Sequence, residues 1–416
     1  MKNFDIAFIG SGVASVFALQ RMHEKQFSGN AVIFDSGRPP LKRKHQILGW
    51  LGCAAGSDGK LYMENEGLEK LLGPITHKKY RKNVLSYLDD KSIIEKVITS
   101  SVSKKFQKNI DKYNYQHTLY SYYQLIPKNM HTLSKIISDE IIDSKHMLFK
   151  FDEHVHNIEF KDNQYEIKTD YGNYTAKQLV LATGRSGWMS AYKFLDRLGL
   201  VQENRYFQCG IKIETSEDNI APKTGLSKPV FSLKKDDIEV GPFLWSGTMV
   251  PEDQFDFTVA NFRSNEGRWV SNNVHFNLFK TIDTLTDPTC TNESATKEVD
   301  RIAKLTSILS NERVVRENLK TIMAGKSKLS VLPTYGASKN GGWLVDACND
   351  LANLFPNLLE TSKAYIPSIN PYGTFKVKLN KRFQASDSLY IIGEATGISG
   401  ILQAAVMGNC FADKNF

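Results

Sequence analysis

The chain has 416 residues, 41% of them hydrophobic and 24% charged, enough for two or three globular domains with substantial cores. No apolar run reaches the roughly 18 residues of a membrane span, which excludes a transmembrane segment. The formal charge of +8 comes from lysines spread along the whole chain, which argues against a concentrated nucleic-acid surface; the cluster Leu41–His45 (LKRKH) is the exception.

Five cysteines, Cys53, Cys209, Cys290, Cys348 and Cys410, are odd in number, scattered and without a CxxC. That pattern argues against a disulfide framework or a zinc site, predicts no metal, and fits a reducing cytoplasm. The N-terminus sets a lysine before an apolar stretch, as a signal peptide does, but it reads better as a strand and a glycine turn.

In chain order, FDIAFI (residues 4–9) is a buried strand, GSGVAS a tight turn, VFALQRM a helix and NAVIFDSG a second strand ending at Asp35. Together they make a βαβ unit. The stretch Gly49–Tyr62, GWLGCAAGSDGKLY, has no helical or strand period and reads as a loop. Residues 64–112 show three- and four-residue apolar spacing and predict a helical insertion, followed by an amphipathic helix in NMHTLSKIISDEIID. KFDEHVHNIEF, QYEIKTDYG and YTAKQLVLATG then read as a β-meander, the last strand apolar enough to enter the core beside the first.

Residues 201–280 are strand-like, with Phe207, Cys209, Ile211 and Ile213 on one face, and Ser294–Ala324 reads as helical. After a loop rich in Pro, Tyr and Asn, strand SLYIIG and helix GILQAAVMGNCFA close the chain. The predicted fold class is α/β: a Rossmann-like nucleotide-binding domain in three parts (1–63, 123–200 and 378–416), a helical insertion (64–122) and a β-rich substrate domain with a helical cap (201–377).

Three motifs carry chemistry. In Gly10-Ser11-Gly12-Val13-Ala14-Ser15, Gly10 allows a tight turn and Gly12 lets backbone approach a pyrophosphate. The helix beginning at Val13 and Ala14 then offers free amides and its dipole to that group. Ser15 stands at the third, small position, and Asp35, 20 residues on, is placed to accept from ribose hydroxyls. Ser36 and Arg38 follow that strand on the cofactor side; for Lys42 the pattern leaves contact open. The second motif, Ala182-Thr183-Gly184, brings a strand end toward the adenosine half of the same cofactor. The third runs from Gly393-Glu394 through a glycine-rich turn to a helix beginning near Gly400 and Ile401. Glu394 is expected near the ribityl–phosphate part, and the helix N-terminus at an electron-rich cofactor edge.

These motifs, in this order, resemble the FAD-dependent oxidoreductases of the glutathione-reductase-like superfamily. GWLGCAAGSDGKL is similar to the GWGGAGAFSDGKL loop of bacterial FAD-dependent dehydrogenases, LATGRSGW to their LAxGRSGxxW, CGIKIE to xGVRVE, and IPKNMHTL stands where they have HIGTDxL. The resemblance covers roughly residues 4–62, 124–214 and 389–408. It implies FAD, wrapped in part by Gly56, Ser57 and Asp58, and hydride transfer to or from a small organic substrate as dehydrogenase, oxidase or reductase. The cysteine cluster and the Glu-Thr-Arg-Thr-Ser-like stretch of that family are absent; AYIPSINPYGTFKVKLNKRF stands in the latter's place, so no substrate carries over.

There is no second dinucleotide fingerprint, so NAD(P)H, where used, binds transiently. Flavin-dependent monooxygenase is the enzymatic alternative, and an FAD-bound partner-binding or nucleic-acid-modifying protein the alternative of another class. Catalytic candidates are Lys60 and Asp58, which either tune a flavin or only shape the loop, and Tyr335 and Tyr372, which with Tyr365 are candidates for a substrate wall or ordinary half-buried tyrosines. Cys53 reads as a packed small residue, and His45 faces phosphate or solvent.

Overall fold

The computed structural model describes the chain except residues 1, 44–46, 64–65, 96, 127–129, 226–227, 255–256, 264–270, 312, 328–341 and 371–372; side chains are also left aside at 252–254 and 257–263. Tyr335, Tyr372 and His45 lie outside the described residues. The chain divides into two compact units, Met1–Lys96 with Tyr123–Glu203 and Phe375–Phe416, and Val97–Tyr122 with Asn204–Thr374. The expected helical insertion is thus not one body, because residues up to Lys96 belong to the first unit and those from Val97 to the second.

In the first unit, Lys2–Ile9 (β1) leads through the helix Val13–Glu24 (α1) to Ala31–Phe34 (β2). Met147–Lys150 (β3), Val155–Lys161 (β4), Gln164–Thr169 (β5) and Asn173–Leu181 (β6) follow. Gln384–Ser386 (β7), Leu389–Ile391 (β8) and the helix Ile401–Asn415 (α2) complete it. The sheet order is β7-β8-β6-β1-β2-β3, and β8, β6, β1, β2 and β3 run parallel. A parallel strand inside the sheet is covered on both faces, which is why the last four residues of β1, Ile6–Ile9, and all of β2 are continuously apolar and buried rather than alternating. Ile6 and Phe8 point into the cluster that holds α1 and α2; Ala7 and Ile9 point into the one that holds Ile158, Ile167 and Leu195. Each such buried large side chain stabilises the unit by about 1.5–3 kcal/mol.

The segment from Lys150 to Phe160 was expected as one strand. Only its part from Val155 is strand (β4); Lys150 is already the last residue of β3, and between them Asp152 takes a positive φ of 53°. Helices α1 and α2 cross closely: a Cβ on Gly408 would lie 2.1 Å from the Ala14 carbonyl oxygen, so the crossing itself requires glycine there.

The second unit is built on an antiparallel sheet whose longest strands are Tyr206–Ser216 and Asn273–Asp283. Phe207, Cys209, Ile211 and Ile213 share its buried face, as their alternation predicted. Ser294–Ala324 is not one helix. It is a helix Ala295–Leu309, a strand Val315–Asn318 and a short helix Leu319–Met323, because Val315–Asn318 pairs with Lys363–Asn370.

Candidate functional site

Five strand ends lie in one register: Lys150, Phe34, Ile9, Leu181 and Ile391 are successive partners across β3, β2, β1, β6 and β8. The residues immediately beyond are those the sequence singles out: Asp35, Gly10, Ala182 and, one further on, Gly393. The carboxyl edge of a parallel sheet, where successive connections leave to opposite sides, is where open α/β sheets bind ligands.

Gly10 and Gly12 have different jobs. Gly10 has φ +105°, and a Cβ there would lie 2.4 Å from the Ala182 carbonyl oxygen, so the turn and the neighbouring strand end both demand glycine. Gly12 has φ −68°, and a Cβ would meet only that oxygen, at 3.9 Å. Among the described residues nothing requires glycine at Gly12, so the missing side chain leaves room beside the first turn of α1. That turn has no side-chain cap and no acidic residue, leaving amides of Val13 and Ala14 available to an anion. Ser15 turns inward, its Oγ donating to the Gly10 carbonyl at 2.7 Å.

Asp35 is engaged by the protein. Its Oδ2 accepts from the Ser11 amide (2.8 Å) and Ser11 Oγ (2.7 Å), and its Oδ1 from the amides of Gly37 (2.8 Å) and Gly49 (2.9 Å). Ser36 Oγ lies 3.4 Å from His154 Nδ1, and Arg38 is half exposed with Asp152 at 3.8 Å. Burial, with His156 beside it, holds the His154 imidazole below its usual range. Lys42 is exposed.

The loop Gly49–Tyr62 is more ordered than its composition predicts, with a 3-10 turn over Gly52–Gly56 and a strand over Lys60–Tyr62. It lies on the glycine turn: the Leu51 amide donates to the Ser11 carbonyl at 2.9 Å, and Leu51 pairs with Gly12. Arg43, which sequence reasoning passed over, donates to the carbonyls of Trp50 and Gly52. Lys60 Nζ pairs with the Asp58 carboxylate, and Gln124 fixes the Asp58 carbonyl at 2.6 Å. Gly56 and Ser57 end the 3-10 turn, and Cys53 is half-buried within it.

Ala182 is buried, and the Thr183 Oγ1 is buried with no hydrogen-bond partner among the described residues. Gly184 has φ +57°, with nothing within 4 Å of an added Cβ. Glu394 is held by Arg185, whose Nε lies 3.2 and 3.3 Å from its two carboxylate oxygens. This pair ties the second motif to the third across 209 residues, and no local signal in the sequence announces it. Gly393 has φ +71° against the Ala14 side chain, and α2 starts from an uncapped Gly400 before Ile401. Gln403, also missed, reaches the carbonyls of Tyr62 and Met63 at 3.3 Å and meets His77 Nε2 at 3.3 Å. A buried glutamine inside the apolar run GILQAAVMG was the available signal.

In the second unit, the other face of the antiparallel sheet is polar. Glu214 accepts from Tyr365 Oη at 3.1 Å and lies 3.4 Å from Arg316 and 3.8 Å from His275; Lys212 donates to Asn277 at 2.7 Å. His275 is 2% exposed, and burial pushes its imidazole down to about 4. Burial, with Glu214 beside it, pushes Tyr365 up to about 12.

No family model matches the chain, and no curated protein does, so the loop-type family stays a resemblance. Among solved structures the chain is similar to a point mutant of NikD, an unusual amino acid oxidase essential for nikkomycin biosynthesis (11% identity, TM-score 0.42, 99% of this chain and 93% of that one). It is similar to glycine oxidase from Geobacillus kaustophilus (12%, 0.42, 99% and 94%) and to halogenase PltM in complex with phloroglucinol and FAD (12%, 0.44, 98% and 67%). At such TM-scores these likenesses assign no reaction and no ligand to this chain. No described helix is long and apolar enough to cross a membrane.

Proposed function

We propose that this chain is an FAD-dependent oxidoreductase, related to the bacterial dehydrogenases its loop resembles, that moves a hydride between flavin and a small organic substrate. One observation carries the reading: the strand ends at Phe34, Ile9, Leu181 and Ile391 share one register, beside an uncapped helix N-terminus whose Gly12 is required by no contact among the described residues. The buried Thr183 hydroxyl, without a hydrogen-bond partner among the described residues, and the open space at Gly184 fit a group lying along the same edge.

In this reading Gly10, Gly12, Val13 and Ala14 hold the pyrophosphate through backbone. Asp35, Ser36, Arg38, Ala182, Thr183 and Gly184 form the adenosine side. Gly56, Ser57, Asp58, Gly393 and Glu394 flank the ribityl and flavin side, and the amides at Gly400 and Ile401 favour negative charge on the ring. FAD supplies the hydride chemistry once bound. Lys60, held beside Asp58, is the candidate for steadying that charge, and NAD(P)H is a transient partner. The second unit supplies the substrate domain, and the cytoplasm is the proposed compartment.

The test is direct. Purified protein is expected to be yellow and to release FAD on denaturation. A colourless protein that takes up no FAD overturns the proposal. Screening NADH and NADPH as reductants, then mixing reduced protein with oxygen and following substrate hydroxylation, separates the dehydrogenase from the monooxygenase.

A further inference from the structure

At the end of β2 the reading above, on which this inference rests, expects a carboxylate that accepts from ribose hydroxyls. The geometry of Asp35 points elsewhere. A carboxylate has about four lone-pair positions. Here four protein donors occupy them: the Ser11 amide and hydroxyl at 2.8 and 2.7 Å, and the Gly37 and Gly49 amides at 2.8 and 2.9 Å. The donors come from three separate segments, the turn after β1, the turn after β2 and the start of the glycine-rich loop.

Those segments also touch through backbone. A Cβ on Gly37 would lie 2.2 Å from the Gly49 amide nitrogen, and one on Gly49 would lie 2.5 Å from the Arg38 carbonyl oxygen. The Trp50 amide donates to the Arg38 carbonyl at 3.3 Å, and the Leu51 amide to the Ser11 carbonyl at 2.9 Å. Aspartate is one methylene shorter than glutamate, and that reach matches donors on the two adjoining turns.

We infer that Asp35 is a positioning residue that fastens the loop at Gly49–Leu51 onto the phosphate-binding turn, and that it does not bind the ribose hydroxyls. It acts on the cofactor through the loop and through the Ser11 amide, which it holds next to the free amides of α1. Affinity then comes from backbone geometry, and the adenosine hydroxyls contribute little.

Two measurements test this. In cofactor-free protein, hydrogen exchange at the Ser11, Gly37 and Gly49 amides is expected to speed up at least about tenfold in Asp35→Ala, with Asp35→Asn in between because an amide keeps one acceptor oxygen. With cofactor, FAD and an FAD analogue lacking both adenosine ribose hydroxyls are expected to bind the unaltered protein within about threefold of each other. Asp35→Ala weakens both by the same factor. Unchanged exchange in Asp35→Ala overturns the inference. So does an analogue bound more than about tenfold more weakly than FAD, with the gap closing in Asp35→Ala. The analogue comparison on the unaltered protein needs no variant to fold. If that protein binds neither molecule, the FAD reading fails, while the exchange result still decides what Asp35 does.

Discussion

The two units put their polar groups to work differently. In the first, the candidate site is made mostly of backbone at the carboxyl edge of a parallel sheet, and side chains such as Asp35 and Arg43 fasten one loop to another. In the second, polar side chains cover one face of an antiparallel sheet, with Glu214, Lys212, His275 and Tyr365 drawn from three strands. A site built from backbone fails when a side chain is added. A site built from side chains fails when one is removed or changes charge.

The largest expected effect tests the first half of that contrast. Gly10→Val sets a branched side chain at φ +105° and 2.4 Å from the Ala182 oxygen, and it is expected to cost about 4 kcal/mol in a denaturant titration. A stable variant would show that the strand ends separate easily.

Next comes the polar face. The His275 imidazole has a folded value of about 4, against about 6.5 in an unfolded chain. Above pH 6.5 neither state is protonated there and stability is complete. Between pH 6.5 and 4 the unfolded chain binds the proton first, so stability falls as acid is added, by about 3 kcal/mol. His275→Gln should remove this limb. Identical profiles for the two proteins between pH 7 and 4 would break the prediction.

Gly12→Ala sharpens the comparison from the other side. It is expected to leave stability unchanged or raise it by up to about 0.5 kcal/mol. It should also weaken FAD retention about tenfold, near 1.4 kcal/mol. Equal loss of stability in Gly12→Ala and Gly10→Ala would erase the distinction between the two glycines. The smallest effect is Arg185→Ala, which frees Glu394 and should lower stability by about 1 kcal/mol, read as a small fall in melting temperature.

The contrast also explains what could be read ahead of the structure. Backbone-made features leave local marks. Apolar runs ending in glycine located β1, β6 and β8, and the small residues after Ile9 located the turn. Features whose partners are far along the chain leave none. Asp35 was legible as an acid at the right distance, but not as the hub of three segments, since its donors are fixed by how the loop returns. The Arg185–Glu394 pair was hidden for the same reason. The turn between β3 and β4 was missed because the apolar residues Phe151 and Val155 stand on either side of it, while the backbone reverses at Asp152 between them. Val315–Asn318 becomes a strand only because a distant neighbour is there to pair with it.

The close crossing at Gly408 bears on how the chain is made. Ala14 and Gly408 are separated by about 390 residues, so at roughly 5–20 residues per second the first helix waits on the order of 20–80 s for its partner to be synthesised. Throughout that interval Phe8 lacks the ring of Phe411, which later packs edge-on against it at 6.0 Å between centroids. A chain cut short before Ile401 therefore carries the whole glycine turn while this face of β1 and α1 stays without the helix that shares its core, and exposed apolar surface of that kind is what chaperones bind.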